Sequence, residues 1–164
     1  MGLEEDVAAL LKAKRLTISV AEAGTEGLLA YLLTSVPGSS AYFIGGVLPY
    51  ARSLKVGVLG MSAATLEAHG SVHETTALDM ARRVREVCGT DIGVSTTGIA
   101  GPGGGSPQRP VGLFCIAVSC RDGRERSQEH RFGLVERNAN REAAARAALA
   151  LLKEHLAAEP VKKR

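Results

Sequence analysis

Residues 91–107 read DIGVSTTGIAGPGGGSP, and this stretch decides the fold class of the chain. Its first part, Asp91–Thr97, is rich in Ile, Val and Thr and predicts a buried strand. The strand runs directly into Gly98–Pro107, where five glycines and two prolines exclude regular structure. A buried strand that ends in a glycine-rich loop, with helical sequence on both sides, is typical of α/β proteins.

Helical and strand patterns follow one another along the rest of the chain. Apolar spacing and turn residues predict, in order, helix 3–14, strand 16–20, helix 28–33, strand 41–50, helix 62–69, helix 73–88, strand 91–97, strand 111–119, strand 127–132 and helix 137–156. Gly45 and Gly46 predict a bulge in the second strand, while Gly70 and Gly89 occupy positions typical of left-handed helix caps. The last two strands should form an antiparallel hairpin. We therefore expect a three-layer α/β/α sandwich around a mixed, mostly parallel sheet.

The size and composition of the chain indicate one domain. Its 164 residues are 45% hydrophobic but only 4% aromatic, so the core should be aliphatic and closely layered. Neither an internal repeat nor a linker interrupts the pattern. We expect one domain over residues 1–164, in which residues 159–164 form a frayed basic tail.

Charge and cysteine usage exclude several classes of partner. The formal net charge is only +3 and the basic residues are spread along the chain, which argues against nucleic-acid binding. Cys88, Cys115 and Cys120 are odd in number and lack C-x-x-C spacing, so we expect reduced thiols and neither a disulfide framework nor a zinc site.

The termini and histidines lead to further expectations. The chain starts with an acidic helical stretch instead of a signal peptide, and its apolar segments are too short to span a bilayer. We therefore expect no membrane partner and a cytoplasmic location. His69 and His73 are four residues apart, but Gly70 breaks the helix between them. We expect no metal and no cofactor.

The glycine-rich loop is a candidate anion site. Glycines allow several backbone amides to converge on phosphate oxygens without clashes from Cβ atoms. The loop lacks the G-K-[ST] ending of a Walker loop and does not open a helix as the dinucleotide fingerprint does. Two interpretations remain open: a site for a small phosphorylated ligand, or a flexible turn that covers a sheet edge.

Three further groups are candidates for chemistry. Tyr50 and Lys55 are five residues apart, so a short turn could bring a phenol and an amine into one cleft as a proton relay. Arg137 and Arg141 are one helical turn apart and could direct two guanidiniums at one phosphate. The third candidate is Ser40 in the turn Gly38-Ser39-Ser40, where a serine is usually explained by turn chemistry alone. For the first pair the alternative is a surface lysine with an interfacial tyrosine, and for the two arginines it is a solvated charged face.

Several motifs stand in order along nearly the whole chain. They are Ala21-Glu22-x-x-Thr25, Pro37-Gly38-Ser39-Ser40-Ala41, Phe43-x-Gly45-Gly46-Val47, His69-Gly70-x-Val72, Thr97-Gly98-Ile99-Ala100-Gly101-Pro102-Gly103-Gly104-Gly105 and Pro110-Val111-Gly112. In these motifs the chain resembles the C-terminal domain of CinA, the nicotinamide-nucleotide amidase family. The resemblance implies a three-layer α/β/α fold, no metal, and hydrolysis of nicotinamide mononucleotide to nicotinate mononucleotide and ammonia.

The resemblance also implies roles for individual residues. The catalytic positions of the family fall on Ser40, Tyr50 and Lys55, all of which are intact. Its ligand-binding positions fall on Thr25, Thr97, Gly98, Gly101, Gly103, Gly104 and Arg137. The expected ligand is therefore a small phosphorylated molecule, a pyridine nucleotide. The oligomeric state is left open, with a homo-oligomer among the alternatives.

The chain departs from the family pattern at the elbow after the first strand. The family usually reads A-E-S-C-T-G-G, whereas residues 21–27 read AEAGTEG. Ala23 thus replaces the serine expected to attack the carboxamide, Gly24 replaces a cysteine and Glu26 replaces a glycine. An alanine has no hydroxyl with which to attack. Arg52 also stands where the family usually has an asparagine.

Two functions remain open from the sequence. In the first, the protein is an amidase in which Ser40, or a water activated through Tyr50 and Lys55, replaces the missing serine. In the second, it binds a pyridine nucleotide or a related phosphate without converting it. Loss of the nucleophile favours weak or absent turnover.

Overall fold

The computed structural model describes residues 2–158, so the predicted tail at residues 159–164 lies outside the described part of the chain. The elements are α1 Leu3–Lys14, β1 Ile18–Ala23, α2 Leu28–Thr34, β2 Phe43–Val47, α3 Arg52–Gly57, α4 Ala63–His69, α5 Glu74–Cys88, β3 Ile92–Gly98, β4 Leu113–Cys120, β5 Glu125–Arg131 and α6 Arg137–Ala157. A single 3₁₀ turn at Ser39–Ala41 precedes β2.

The five strands form one mixed sheet in the order β2-β1-β3-β4-β5. β1 pairs in parallel with β2 on one side and with β3 on the other. β4 is antiparallel to both β3 and β5, so it alone opposes the common direction of the other four strands. The predicted mixed, mostly parallel sheet is confirmed. The register sets Ala23, at the end of β1, beside Thr97 near the end of β3.

Helices cover both faces of the sheet and complete the three layers. One aliphatic cluster joins α1, α2 and α6 to the sheet, with Leu11, Leu29 and Leu149 among its fully buried side chains. Met80 and Val84 of α5 pack on the opposite face. Burying each such side chain contributes roughly 1.5–3 kcal/mol, so the fold is held by aliphatic packing on two sides of one sheet.

Local sequence signals explain where the helices begin and end. Ser62 caps α4 by accepting a hydrogen bond from the Thr65 amide, and Gly89 ends α5 in the left-handed conformation. The cap prediction is wrong in detail at Gly70, whose φ of 78° is combined with an extended ψ of 177°. This geometry redirects the chain away from α4 instead of completing a left-handed cap.

Two element predictions need correction. β1 continues to Ala23 through residues that we expected to form a polar elbow, because the Glu22 carboxylate is accommodated by buried donors. The segment between Tyr50 and Lys55 is not a simple turn, since Arg52–Gly57 forms the short helix α3. Six residues with a terminal glycine carry too weak a helical pattern for sequence reasoning to detect.

The described residues can also be compared with the membrane, metal and disulfide predictions. Within residues 2–158, no helix combines the length and apolarity that crossing a membrane requires. The same residues contain no cluster of three or more His, Cys, Asp or Glu side chains that could hold a metal ion. The three cysteines are free thiols, and burial raises the pKa of Cys115 to about 12 and that of Cys120 to about 11.

Candidate functional site

A cleft of about 250 Å³ opens where β1 and β3 end. Its walls come from the elbow after β1, the segment before and within α3, the turn after α4, the glycine-rich loop and the start of α6. The lining residues are Ala23, Gly24, Glu26, Tyr50, Lys55, Ser71, Val72, Thr97, Gly98, Ile99, Ala100, Gly101, Gly103, Gly104 and Arg137. The carboxyl ends of parallel strands are where α/β folds usually bind ligands.

The cleft gathers most of the residues predicted from sequence. Tyr50, Lys55 and Ala23 lie in it, together with Thr97, the four loop glycines and Arg137. These residues come from four separate segments of the chain, so only the tertiary fold assembles them. Ser40 and Thr25 do not line this cleft.

Ser40 lies at the other end of the sheet. It belongs to the 3₁₀ turn before β2, and Phe43 at the start of β2 pairs with Ile18 at the start of β1. The cleft forms at the opposite ends of these parallel strands. The expectation that Ser40 acts beside Tyr50 and Lys55 therefore fails within one copy of the chain, because the length of β2 separates them.

Thr25 is a buried structural residue. Its hydroxyl donates to the Glu22 carboxylate at 2.6 Å and lies 2.7 Å from the Thr96 hydroxyl. The same carboxylate accepts the amides of Leu29 and Ala30 at the start of α2, at 2.8 and 3.1 Å. Thr25 lines a second, larger cavity of about 550 Å³ between α2 and α6. The Thr25 hydroxyl, which we expected to contact a ligand, instead donates to Glu22 and holds the elbow in place.

Burial of Glu22 has an electrostatic consequence. Loss of hydration raises the pKa of its carboxyl group, while the Thr25 hydroxyl and the backbone amides of Leu29 and Ala30 lower it. These donors explain how a charged residue type is accepted in a fully buried strand. Glu22 therefore fixes the angle between β1 and α2 from beneath the cleft.

Lys55 is the buried cation of the cleft. Its side chain is only 2% exposed, and its ammonium donates to the carbonyl oxygens of Pro49 and Tyr50 at 2.9 and 3.2 Å. Burial lowers the pKa of Lys55, and the negative charge of Glu26 opposes this shift. An amine whose pKa is lowered gives up its proton more readily than a surface lysine.

Glu26 brings a carboxylate to the cleft. Its backbone is left-handed, with φ at 45°, and its side chain accepts a hydrogen bond from the amide of Gly24. That amide follows Ala23, the position at which a donor would stabilise an oxyanion formed next to an attacking group. The carboxylate occupies this donor, and its negative charge would oppose a developing oxyanion at this position.

Thr97 and the loop glycines serve different purposes. The Thr97 hydroxyl donates to the Ser71 carbonyl at 2.6 Å, which joins β3 to the turn after α4. A Cβ atom at Gly98 or Gly101 would overlap Phe114 or Val111, whereas one at Gly103 would meet nothing within 4 Å. The first two glycines are therefore required by packing, and the exposed tip of the loop is free to contact a ligand.

Arg137 and Arg141 point into different cavities. Arg137 lines the cleft and donates to the Gly101 carbonyl. Arg141 donates to the Gly24 carbonyl at 3.0 Å and lines the second cavity. The two-guanidinium phosphate site suggested by their spacing is therefore wrong, because the Gly24 elbow lies between the two side chains.

Two positioning residues were missed in the sequence. Buried Asn140 of α6 donates to the carbonyls of Ala100 and Leu134 at 3.0 and 2.9 Å and so fixes the base of the glycine-rich loop. Ser71 supplies the carbonyl that holds Thr97. The available signal for Asn140 was weak, because it is one of two asparagines in an alanine-rich helix. The only signal for Ser71 was its position directly after His69-Gly70.

The cleft is lined by charged groups of both signs. Arg137 and the exposed loop amides favour an anion such as phosphate. Glu26 offers a negative charge on the elbow, and Lys55 lies buried near it. Such an arrangement suits a small ligand that carries charges of both signs.

Comparison with known proteins yields a family match. A profile described as "CinA C-terminal domain" matches residues 1–156. The CinA-like protein of Chlorobaculum tepidum is 48% identical over 159 residues, covering 93% of this chain and 38% of that protein. The CinA-like protein of Desulforapulum autotrophicum is 43% identical over 156 residues, covering 95% and 37%. The chain thus spans less than two fifths of the length of these relatives.

Solved structures agree with the fold. The competence/damage inducible protein CihA from Agrobacterium tumefaciens superposes with a TM-score of 0.88 at 38% identity, covering 94% of each chain. The competence damage-inducible protein A from Klebsiella pneumoniae superposes with a TM-score of 0.91 at 31% identity, covering 96% of this chain and 97% of that one.

Proposed function

The chain belongs to the CinA C-terminal domain family, and from this premise we propose that its cleft binds nicotinamide mononucleotide and hydrolyses the amide only slowly. One observation carries the proposal. Arg137 and the open loop tip line the same cleft as Glu26 and the alanine at position 23. The proposal includes the cytoplasmic location expected from the sequence.

Arg137 and the glycine-rich loop support binding of the phosphate. Arg137 is exposed at the cleft and a guanidinium can form two hydrogen bonds to phosphate oxygens. Gly103 leaves open space where other residues would place a Cβ atom, so the loop backbone can approach the ligand closely.

The carboxylate of Glu26 supports binding of the pyridine ring. The ring of nicotinamide mononucleotide carries a positive charge, and a carboxylate within a few ångströms of it contributes favourable Coulomb energy. Glu26 lies on the elbow that lines the cleft. The product of hydrolysis, nicotinate mononucleotide, carries a carboxylate on the ring in place of the amide. The negative charge of Glu26 should therefore disfavour binding of the product relative to the substrate.

The reaction requires a water molecule to replace the amide nitrogen. Water adds to the carboxamide carbon, the carbon–nitrogen bond breaks, and the nitrogen leaves as ammonia with a proton taken from that water. Ala23 has no hydroxyl to form a covalent intermediate, and Glu26 holds the Gly24 amide that could stabilise the oxyanion. Both features support slow turnover.

Calorimetry tests the binding step. Arg137→Ala should weaken affinity for nicotinamide mononucleotide by roughly 1.5–3 kcal/mol, because a charged partner of the phosphate is removed. Arg83→Ala on α5 is the control, since Arg83 pairs only with neighbouring Asp79 and Glu86 on the helix surface. Unchanged affinity of Arg137→Ala would disprove the placement of the phosphate.

A faster amidase is the second candidate, and the buried Lys55 is the observation that favours it. An amine whose pKa is lowered by burial could accept a proton from a water near Tyr50. The two candidates differ in rate. Steady release of ammonia at about 1 per second or more, within the ordinary enzyme range, would establish the faster amidase and refute slow turnover.

A further inference from the structure

The cavity between α2 and α6, which we call the α2–α6 cavity, is not used by the proposed reaction. Its volume of about 550 Å³ lies within the range of roughly 300–1,000 Å³ that is usual for sites of small molecules. Both apolar and charged side chains line it. The lining residues are Thr25, Glu26, Gly27, Leu28, Tyr31, Leu32, Asn138, Arg141, Glu142 and Arg146.

The elbow after β1 is the wall between this cavity and the cleft. Gly24 lines the cleft, Thr25 and Gly27 line the α2–α6 cavity, and Glu26 lines both. Arg141 closes the wall from the side of the cavity by donating to the Gly24 carbonyl at 3.0 Å. The cavity is therefore a separate site, and its ligand need not resemble the ligand of the cleft.

Arg141 is the cation of the cavity that is available to a ligand. Within residues 2–158 it forms no salt bridge, and its one hydrogen bond runs from Nε to the Gly24 carbonyl. Arg146, by contrast, is paired with Glu4 at 3.3 Å and with Glu142 at 3.5 Å. The terminal nitrogens of a guanidinium match the two oxygens of a carboxylate. Arg141 thus favours a ligand that carries an anionic group.

Glu26 limits the negative charge that the cavity accepts. Its carboxylate accepts a hydrogen bond from the Gly24 amide and lies in the wall of the cavity. One negative charge on a ligand is neutralised by Arg141. A second negative charge would remain unpaired beside Glu26, and both desolvation and repulsion oppose this. A carboxylate is therefore favoured over the dianion of a phosphate monoester.

The apolar part of the cavity suits an aromatic ring. Tyr31 is 67% exposed although it is a large aromatic residue, and it lines the cavity together with Leu28 and Leu32. Aromatic rings pack favourably on one another in offset-stacked or edge-to-face arrangements. We propose that the α2–α6 cavity binds a small aromatic carboxylate, whose ring packs against Tyr31 and whose carboxylate pairs with Arg141.

Nuclear magnetic resonance with benzoate as the probe tests this site without any ligand of the cleft. Benzoate should cause saturable shifts of the backbone amides of residues 25–32 and 138–146, while the amides of residues 98–104 in the cleft should not follow the same titration. Benzamide is the matched neutral probe, since it keeps the ring but lacks the charge. It should bind at least about tenfold more weakly, because it cannot pair with the guanidinium.

Variants on both sides of the elbow locate the probe. Arg141→Ala should raise the Kd of benzoate by about tenfold or more. Tyr31→Ala should raise it about two- to tenfold and leaves the contact between Arg141 and Gly24 in place. Arg137→Ala is the control in the cleft and should leave the Kd unchanged. Circular dichroism checks that each variant is folded.

Three results would overturn the proposal. The first is that wild-type protein shows no saturable shift with benzoate. The second is that benzamide binds as tightly as benzoate. The third is that binding is weakened by Arg137→Ala but by neither Arg141→Ala nor Tyr31→Ala, which would place the probe in the cleft.

Discussion

Three side chains, at the end of β1, in the elbow after it and in α3, carry the chemistry that we propose for the cleft. Ala23 offers only a methyl group, Glu26 holds the Gly24 amide, and Lys55 lies buried against two carbonyl oxygens. The methyl and the carboxylate remove a nucleophile and an oxyanion donor, respectively. Lys55 remains as the group that can still move a proton.

Burial of Lys55 makes stability depend on pH. Folding lowers the pKa of Lys55 below 10.5, the value for the free side chain. At pH values between the folded and the unfolded pKa, the unfolded chain therefore binds more protons than the folded chain. Stability should therefore rise with pH in this window, by about 1.4 kcal/mol for each tenfold loss of proton affinity. In Lys55→Met this rise should disappear, so the variant loses stability relative to wild type as pH approaches 10.5.

Urea unfolding between pH 7 and 10.5 measures this difference. Lys12→Met is the control, because Lys12 also donates to a carbonyl, that of Pro37, but on the surface. A stability difference between Lys55→Met and wild type that stays constant over the whole pH range would show that burial does not disfavour the ammonium.

Restoring the elbow tests the proposed slow turnover. Ala23→Ser with Glu26→Gly should raise ammonia release from nicotinamide mononucleotide by about 10²-fold, because it adds a hydroxyl and frees an oxyanion donor. Glycine also suits the left-handed backbone at position 26. Gly24 should stay, since its φ is 110° and a Cβ atom there would lie 2.8 Å from Phe114 Cε1.

Glu26→Gly alone is the matched control for this restoration. It frees the Gly24 amide without supplying a nucleophile, so most of the gain should require Ala23→Ser. A double variant that binds the nucleotide and remains as slow as its parent would count against position 23 as the site of attack.

At the scale of elements, the glycine-rich loop combines a rigid base with an open tip. Its base is held by Asn140 through the Ala100 carbonyl and by packing of Gly98 against Phe114. Its tip around Gly103 has no such neighbours. A loop of this kind can present amides to a ligand because its ends are fixed by β3 and α6.

The base and tip should respond differently to the same substitution. Gly98→Ala should destabilise the fold by about 1–3 kcal/mol, because the added methyl overlaps the buried Phe114 ring. Gly103→Ala should change stability by no more than about 0.5 kcal/mol, since the methyl meets open space. Urea unfolding compares the two, and equal costs would contradict the distinction between base and tip.

At the scale of the whole molecule, both helical layers depend on one sheet. α1, α2 and α6 cover one face and α5 covers the other, so neither layer has a core of its own. The predicted single domain should therefore unfold in one cooperative transition.

Calorimetry and circular dichroism check this cooperativity. The calorimetric and van't Hoff enthalpies of unfolding should agree. Two resolved transitions by different probes would contradict the single domain.

Most of the elements, and the chemical character of their ends, can be predicted from local sequence signals. Helix α5, with its cap at Gly89, and the strand that runs into the loop at Gly98 follow from short-range preferences. These preferences act within a few residues and are therefore readable without the fold. The same local signals were too weak for α3, and they misplaced the end of β1 because the donors to Glu22 come from α2.

Only the tertiary structure decided which of these ends meet. Ser40 is ten residues from Tyr50 in sequence, yet a parallel strand carries the chain across the sheet between them. Arg137 and Arg141 share a helix face but enter cavities on opposite sides of the Gly24 elbow. The physical reason is that strand order and layer packing bring together residues from distant segments, and no local spacing records those contacts.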